Sequence, residues 1–321
     1  MLHALPSLSL LVLFAFAGPQ ELAHRLAKDG KSTRTVERSL DLRSTRISVG
    51  LGAVSDGGTE GPKLRFVDKD RFTVSDTHVE VSKNTSMRFT REFASITGTL
   101  LQGFEAPEGF EDQSDEETLE KRSALERRTV QFDRDGQDWK ASWPKDQEGD
   151  PQLLKGLRAD LDFAGLLPRK GQGHDESWTI DSDTVRSILM PGGVPLCDPK
   201  DESPNVKLRP IWLAIDRHLV GEAKAVLREP RQVGGQTYAV LGFEGKASAK
   251  GAALEDGTLT LEIEFEGEAL WDLADARLHS LDVQGETKLA LESKKSRKLG
   301  SKTIDVTEKA EFEGTLTASV R

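Results

Sequence analysis

Apolar and polar residues alternate with period two most clearly in the last third of the chain. In Thr258–Phe265, Leu259, Leu261, Ile263 and Phe265 alternate with Thr258, Thr260, Glu262 and Glu264. That is the pattern of a strand with one dry and one wet face. It returns from Leu281 to Glu292, with Leu281, Val283, Leu289 and Leu291 on one side and Asp282, Gln284, Glu286 and Lys288 on the other. A third run, Ile304 to Val320, lines up Ile304, Val306, Ala310, Phe312, Leu316, Ala318 and Val320. Glu308 is the one charged residue on its apolar side. At about 3.4 Å per residue such a run approaches roughly 60 Å, so these strands must bend or coil. Phe-Glu-Gly recurs at Phe243–Gly245, Phe265–Gly267 and Phe312–Gly314, where a glycine after a core Phe marks a bend.

The links between these runs have hairpin length and turn chemistry. Gly234-Gly235 separates Leu219–Arg228 from Tyr238–Phe243, Glu255-Asp256-Gly257 precedes the next run, and Asp272–Ala276 is the link after it. The N-terminal half carries strand-like spacing at Val36–Val49, Leu64–Val67, Arg71–Val81, Met87–Ile96 and Thr129–Trp143, with Arg134–Gln137 as a turn inside the last. Helical spacing is read in Glu116–Arg128 and in Pro151–Leu167, where Leu153, Leu154, Leu157, Leu161 and Leu166 recur. Ser177–Ile180 reads as a short strand, and Asp181 or Ser182 caps a helix running to about Met190. Pro191 to Pro210 holds five prolines and is expected to be an extended loop.

The expected fold is mainly β with some α: a large curved antiparallel sheet, half-barrel-like, with a few helices on its concave face. Its parts are a signal peptide over 1–17, a β-rich part over 18–150, and a helix-containing segment followed by a β-meander over 151–321. The last two parts are compatible with one continuous domain.

Leu8 to Ala17 is a charge-free apolar run ending in Ala15-Phe16-Ala17 before Gly18. It is shorter than the about 20 residues that span a bilayer, and it has the small residues of a cleavage site. The expectation is an exported protein, periplasmic or extracellular, that does not span the membrane after cleavage. The formal charge of −10 argues against a nucleic-acid partner. Cys197 is the only cysteine, so no intramolecular disulfide can form. Burial is the expected fate of its thiol.

The segment Leu166-Leu167-Pro168, then Gly173-His174-Asp175-Glu176-Ser177-Trp178, then a capped helix ending in Pro191-Gly192-Gly193 resembles uncharacterised exported bacterial proteins, several from planctomycete-like genomes. The resemblance covers Leu166 to Leu291. It departs from the pattern where His-Asp-Glu-Ser-Trp replaces a plain Gly-Asp-Ser-Trp. It implies a curved antiparallel sheet partly wrapped around helices, as in lipoprotein-carrier-like half-barrels, and no particular activity.

Chemistry is thinly marked. His174, Asp175 and Glu176 form the densest polar cluster beside an aromatic, but neighbours on a strand face opposite ways. Asp216-Arg217-His218 has the same geometry. Asp133–Asp138 lacks the Gly and Glu positions of a calcium loop. Asp198, Asp201 and Glu202 lie in the proline-rich segment, and Lys294, Lys295, Arg297, Lys298 and Lys302 form a basic cluster at a strand link. No hydrolase, zinc, phosphate-loop or dinucleotide motif occurs. Catalytic residues, metal ligands and cofactors are therefore left unassigned. Ala310, Phe312, Gly314, Leu316 and Ala318 are the candidate ligand-facing residues, because small side chains there leave room for a packed helix or an apolar ligand. The favoured reading is a non-enzymatic binding or envelope-structural protein for an apolar ligand or envelope component. The alternative is an exported hydrolase or metal-dependent enzyme built from distant Asp, Glu and His.

Overall fold

A computed structural model describes residues 22, 24–51, 54–55, 63–83, 85–106, 115–168, 176–199, 208–299 and 302–321. Fourteen strands occur among them: β1 (Lys31–Leu51), β2 (Val54–Ser55), β3 (Lys63–Ser82), β4 (Thr85–Glu105), β5 (Asp115–Arg122), β6 (Thr129–Asp135), β7 (Asp138–Ser142), β8 (Ser177–Ile180), β9 (Asp198–Pro199), β10 (Val220–Val233), β11 (Gln236–Leu254), β12 (Gly257–Asp272), β13 (Arg277–Leu299) and β14 (Lys302–Val320). Two α-helices, α1 (Ser182–Leu189) and α2 (Leu208–His218), complete the regular structure.

All fourteen strands belong to one sheet, and every pairing is antiparallel. The main order is β7-β6-β4-β3-β1-β14-β13-β12-β11-β10-β8, with β5 on the far half of β4. The sheet is open, with β7 and β8 at its ends. The described strands of 18–150 and of 151–321 therefore share a sheet, joined where β1 meets β14 from Val36↔Val320 to Leu51↔Val306.

The period-two faces hold over these long strands. Leu259, Leu261, Ile263 and Phe265 are buried while Glu262, Glu264 and Glu266 are exposed. The hairpin turns behave as their residues require: Gly136, Gly234 and Gly235 all have positive φ.

The dry face curves around the helices. Trp212 of α2 donates from Nε1 to Asp68 of β3 at 2.6 Å, and α2 also packs on β11 and β12. β3 and β11 are five positions apart in the order, about 24 Å in a flat sheet at about 4.8 Å per strand. One helix of about 10 Å diameter reaches both only if the sheet bends around it. Likewise α1 lies against β10 and β14. Phe72, Phe93, Leu161, Phe163, Ile188, Trp212, Leu241 and Trp271 belong to one continuous core between sheet and helices.

Two helical expectations fail. Pro151–Leu167 forms only two 3-10 turns, Pro151–Leu154 and Ala164–Leu166. Between them Gly156 takes φ +82 and pairs its backbone with Val194, which a continuous helix forbids. Glu116–Arg128 is strand β5 followed by a turn, because β4 offers it an unpaired edge. The reverse error lies at the end of the proline-rich segment, where α2 already starts at Leu208. Pro210 falls in its first turn, where the missing N–H has no helical partner to lose. Leu64–Val67 and Arg71–Val81 are one strand, β3.

Candidate functional site

The most unusual chemistry lies in a row of charged residues across the dry side of four strands. In register, Arg38 on β1 faces Asp70 on β3, Asp70 faces Gly98 on β4, and Gly98 faces Lys121 on β5. Alternation puts Asp68 two residues from Asp70 on the same face. All four charged side chains are buried. Lys121 is the only buried residue of β5. Its side chain crosses β4 because Gly98 has none: a Cβ there would lie 2.7 Å from Lys121 Cε and 2.8 Å from Asp70 Oδ1.

Lys121 Nζ donates to Oδ1 of Asp68 and, at 2.5 Å, to Oδ1 of Asp70. Arg38 donates to Asp70 Oδ2 at 2.6 Å and to the Gly193 carbonyl at 2.8 Å, and its guanidinium lies 4.8 Å from the centre of the Trp212 ring. Two cations thus face two carboxylates in a setting where an unpaired charge would be costly. The carboxyls are driven apart. Burial and the neighbouring Asp70 charge push Asp68 above the ordinary carboxylate range, only partly offset by Lys121 and Trp212. Burial acts the same way on Asp70, but Arg38 and Lys121 outweigh it and hold Asp70 below that range. Burial would lower Lys121, and the two carboxylates reverse the effect and raise it. Cys197 lies close enough to feel these charges. Burial, then Asp70, pushes its thiol up to about 12, so it is protonated at neutral pH.

A groove of about 1940 Å³ crosses ten of the strands, lined mostly by wet-face residues, with Arg38, Asp70, Gly98 and Lys121 of the buried row also at its border. Its side toward β3 and β5 mixes Lys69, Arg71, Arg122 and, just beyond β5, Arg127 with Glu37, Glu120 and Glu126, and Arg71 pairs with Glu37 at 3.3 Å. Its side along β11–β13 is acidic, with Glu244, Glu266, Glu268 and Asp282. Ser39, Thr317 and Ser319 lie between. Several charges are already paired: Arg231 binds Glu268 through two bonds, at 2.6 and 2.9 Å, and Arg321 holds Asp282.

The residues singled out from the sequence are dispersed. Phe312, Leu316 and Ala318 are buried in the core, Phe312 edge-on to Phe66 at 5.9 Å. Ala310 is half-buried, and Gly314 is pressed against the backbone of Asp41, where a Cβ would lie 1.8 Å from its oxygen. Of the five, only Ala318 borders the groove. His174 and Asp175 lie outside the described residues, as do Asp201 and Glu202; Glu176 is exposed before β8. Asp216 is bound by Arg158 at 2.6 Å, away from a reactive partner. Asp133–Asp138 forms the β6–β7 hairpin, with Asp133 held by Arg88 and Gln131. Lys294 and Lys295 pair with Glu292, Asp256 and Glu308. Among the described residues no three His, Cys, Asp or Glu side chains are grouped to hold a metal ion, and no helix is long and apolar enough to cross a membrane.

The buried row was missed because Asp68 and Asp70 fell between two expected strands, Leu64–Val67 and Arg71–Val81, and Lys121 in a stretch read as helical. Residue parity was the available signal: Asp68 and Asp70 share it with Phe66, Phe72 and Val74, and Arg38 with Val36, Leu40 and Leu42. The chain matches no known family model and no curated protein.

Proposed function

We propose that this is an exported, non-enzymatic protein of the periplasm or cell exterior that binds a polar envelope component in the wet-face groove. The single observation behind this reading is the groove itself, which is long and strongly charged, its cations Lys69, Arg71, Arg122 and Arg127 gathered on the side away from the acidic strands β11–β13. A polar chain carrying anionic groups would be held along Lys69, Arg71 and Arg122 and kept in register by repulsion from Glu244 and Glu266. The dry-face residues that would have met an apolar ligand are packed against the protein's own side chains, which favours a polar ligand over a lipid. Export rests on the apolar run Leu8–Ala17 and the Ala15-Phe16-Ala17 site.

The test is co-sedimentation of the purified protein with isolated envelope from its own cells, at low and high salt. Retention that falls with salt, and falls further in an Arg71→Glu/Arg122→Glu double variant, supports the reading. Equal retention of the folded variant overturns it. A lipid carried through native mass spectrometry would instead favour the apolar-ligand reading.

A further inference from the structure

Lys121, Asp68 and Asp70 have the arrangement of a reaction rather than only of an ion pair. An amine is in hydrogen-bond contact with two carboxyls in a buried pocket, and the two carboxyls have different partners. Asp70 is held by Arg38 at Oδ2, which favours its ionised form and leaves Oδ1 to the amine. Asp68 has no arginine; its Oδ2 accepts the Trp212 indole N–H at 2.6 Å, while its Oδ1 faces Lys121. A neutral donor on one oxygen polarises the carbonyl and stabilises charge that develops there. The other oxygen, beside the amine, is the one that would leave.

We propose that Lys121 and Asp68 become joined by an intramolecular amide bond that the folded protein forms by itself, with Asp70 carrying the proton. The Lys121 ammonium gives one proton to Asp70. The free Nζ attacks Cγ of the protonated Asp68 carboxyl, and the negative charge on Oδ2 is held by Trp212. The C–Oδ1 bond then breaks, and the hydroxyl leaves as water with a second proton from the nitrogen. One N–H remains on the new amide, and the proton taken at the start passes from Asp70 to solvent, which restores the Asp70 ion pair with Arg38, so atoms and charge balance with no co-reactant. Opposed shifts of the two carboxyls, Asp68 upward and Asp70 downward, match acid and base roles.

Two physical factors drive the step. Rigid contact replaces a bimolecular encounter, and such proximity can be worth effective molarities of about 10⁵–10⁸ M. The product also replaces a buried ammonium and a carboxyl with one neutral amide, lowering the electrostatic cost of the pocket. The bond would tie β5 to β3 across β4. β5 gains most, since its other side chains are not buried.

The deciding measurement is the intact mass of the purified full chain under denaturing conditions, followed by a tryptic map. The expected mass is one water below that calculated for the chain as purified, with residues 1–17 present or removed, with no cleavage after Lys121 and a branched peptide joining it to Phe66–Lys69, which contains Asp68. A full sequence mass with normal cleavage after Lys121 overturns the proposal. So does a branch to Asp70–Arg71, or a water loss mapped to the Asp135-Gly136 or Asp256-Gly257 turn. In Lys121→Arg the water should be retained. Asp70→Asn should also retain it, with circular dichroism establishing that the variant folds. A folded Asp70→Asn that is still linked would overturn the proton-carrier role. Because the wild-type mass decides by itself, a variant that fails to fold does not rescue or sink the idea, and the outcome is independent of ligand binding in the groove.

Discussion

Asp70 and Lys121 lie on strands that do not pair, yet Lys121 Nζ donates to Asp70 Oδ1 at 2.5 Å. The contact exists because Gly98, between them on β4, leaves a gap in the row of side chains. Replacing Gly98 with Val should expel Lys121, since even a Cβ would lie 2.7 Å from its Cε, and it would also crowd the Lys69 carbonyl oxygen at 2.5 Å. The expected loss is about 1–3 kcal/mol from overpacking alone, with more from the stranded aspartates. Urea unfolding of the two proteins side by side measures it, and an unchanged midpoint would refute the role given to the glycine.

Arg91 should be among the costliest residues to remove. It binds Asp76 through Nε at 2.7 Å and a terminal nitrogen at 2.6 Å, and it donates to the carbonyls of Arg158 and Ala159. Arg91→Met leaves Asp76 as an unpaired buried charge and frees the chain leading away from the first 3-10 turn. Losing one partner of a buried pair costs about 3–5 kcal/mol. Chemical denaturation is the check, and a double variant Arg91→Met/Asp76→Leu should recover part of the loss.

Asp160 sets a pH dependence of known sign. Burial, then the charge of Asp162, raises its carboxyl above the ordinary value of 3.8, despite N–H bonds from Asp162 and Phe163. A carboxyl raised in the folded state favours folding at low pH, and that contribution is lost as pH climbs through the elevated native value. Asp160→Asn keeps an acceptor for both N–H groups and removes the charge. Its stability at neutral pH should equal or exceed that of the wild type, with a flatter profile above the ordinary carboxylate value of 3.8, where the wild type loses its contribution. A steeper profile for the variant would contradict the assignment.

Cys197 should be chemically silent in the native protein. With its thiol pushed up to about 12, the thiolate fraction at neutral pH is negligible, and burial blocks access as well. Iodoacetamide should leave it unmodified in native buffer and modify it fully in denaturant, as read by peptide mass. Rapid native labelling would show that the core around α2 opens.

Strands were legible in the sequence because a half-buried sheet repeats its demand at every second residue, as in Leu259, Leu261, Ile263 and Phe265. The helices were not, because isolated cues mislead over short lengths. Leucines from Leu153 to Leu166 have helical spacing but pack from separate turns broken at Gly156. Pro210 suggests an extended chain but occupies a helix's first turn. Asp68 and Asp70 look like surface residues until parity is counted through Phe66, Phe72 and Val74. What no count could supply is that a lysine two strands away, Lys121 on β5, would reach them. That depends on long-range register, which sequence spacing does not encode.

The junction of β1 with β14 has a consequence for biosynthesis. Every other neighbour of β14 and β1 is close in the chain, but these two are the first and last strands described, paired through fifteen residues of register. A growing chain can therefore fold β1 with β3 and β4, and later β10 with β11–β13, while the two pieces stay unjoined. β14 is made after all of them and pairs on both edges, with β1 and with β13. Until it emerges, each half keeps an open edge, and non-local pairing of this kind is slow to form. Synthesis thus leaves the chain unable to complete its sheet until its last described strand has been made.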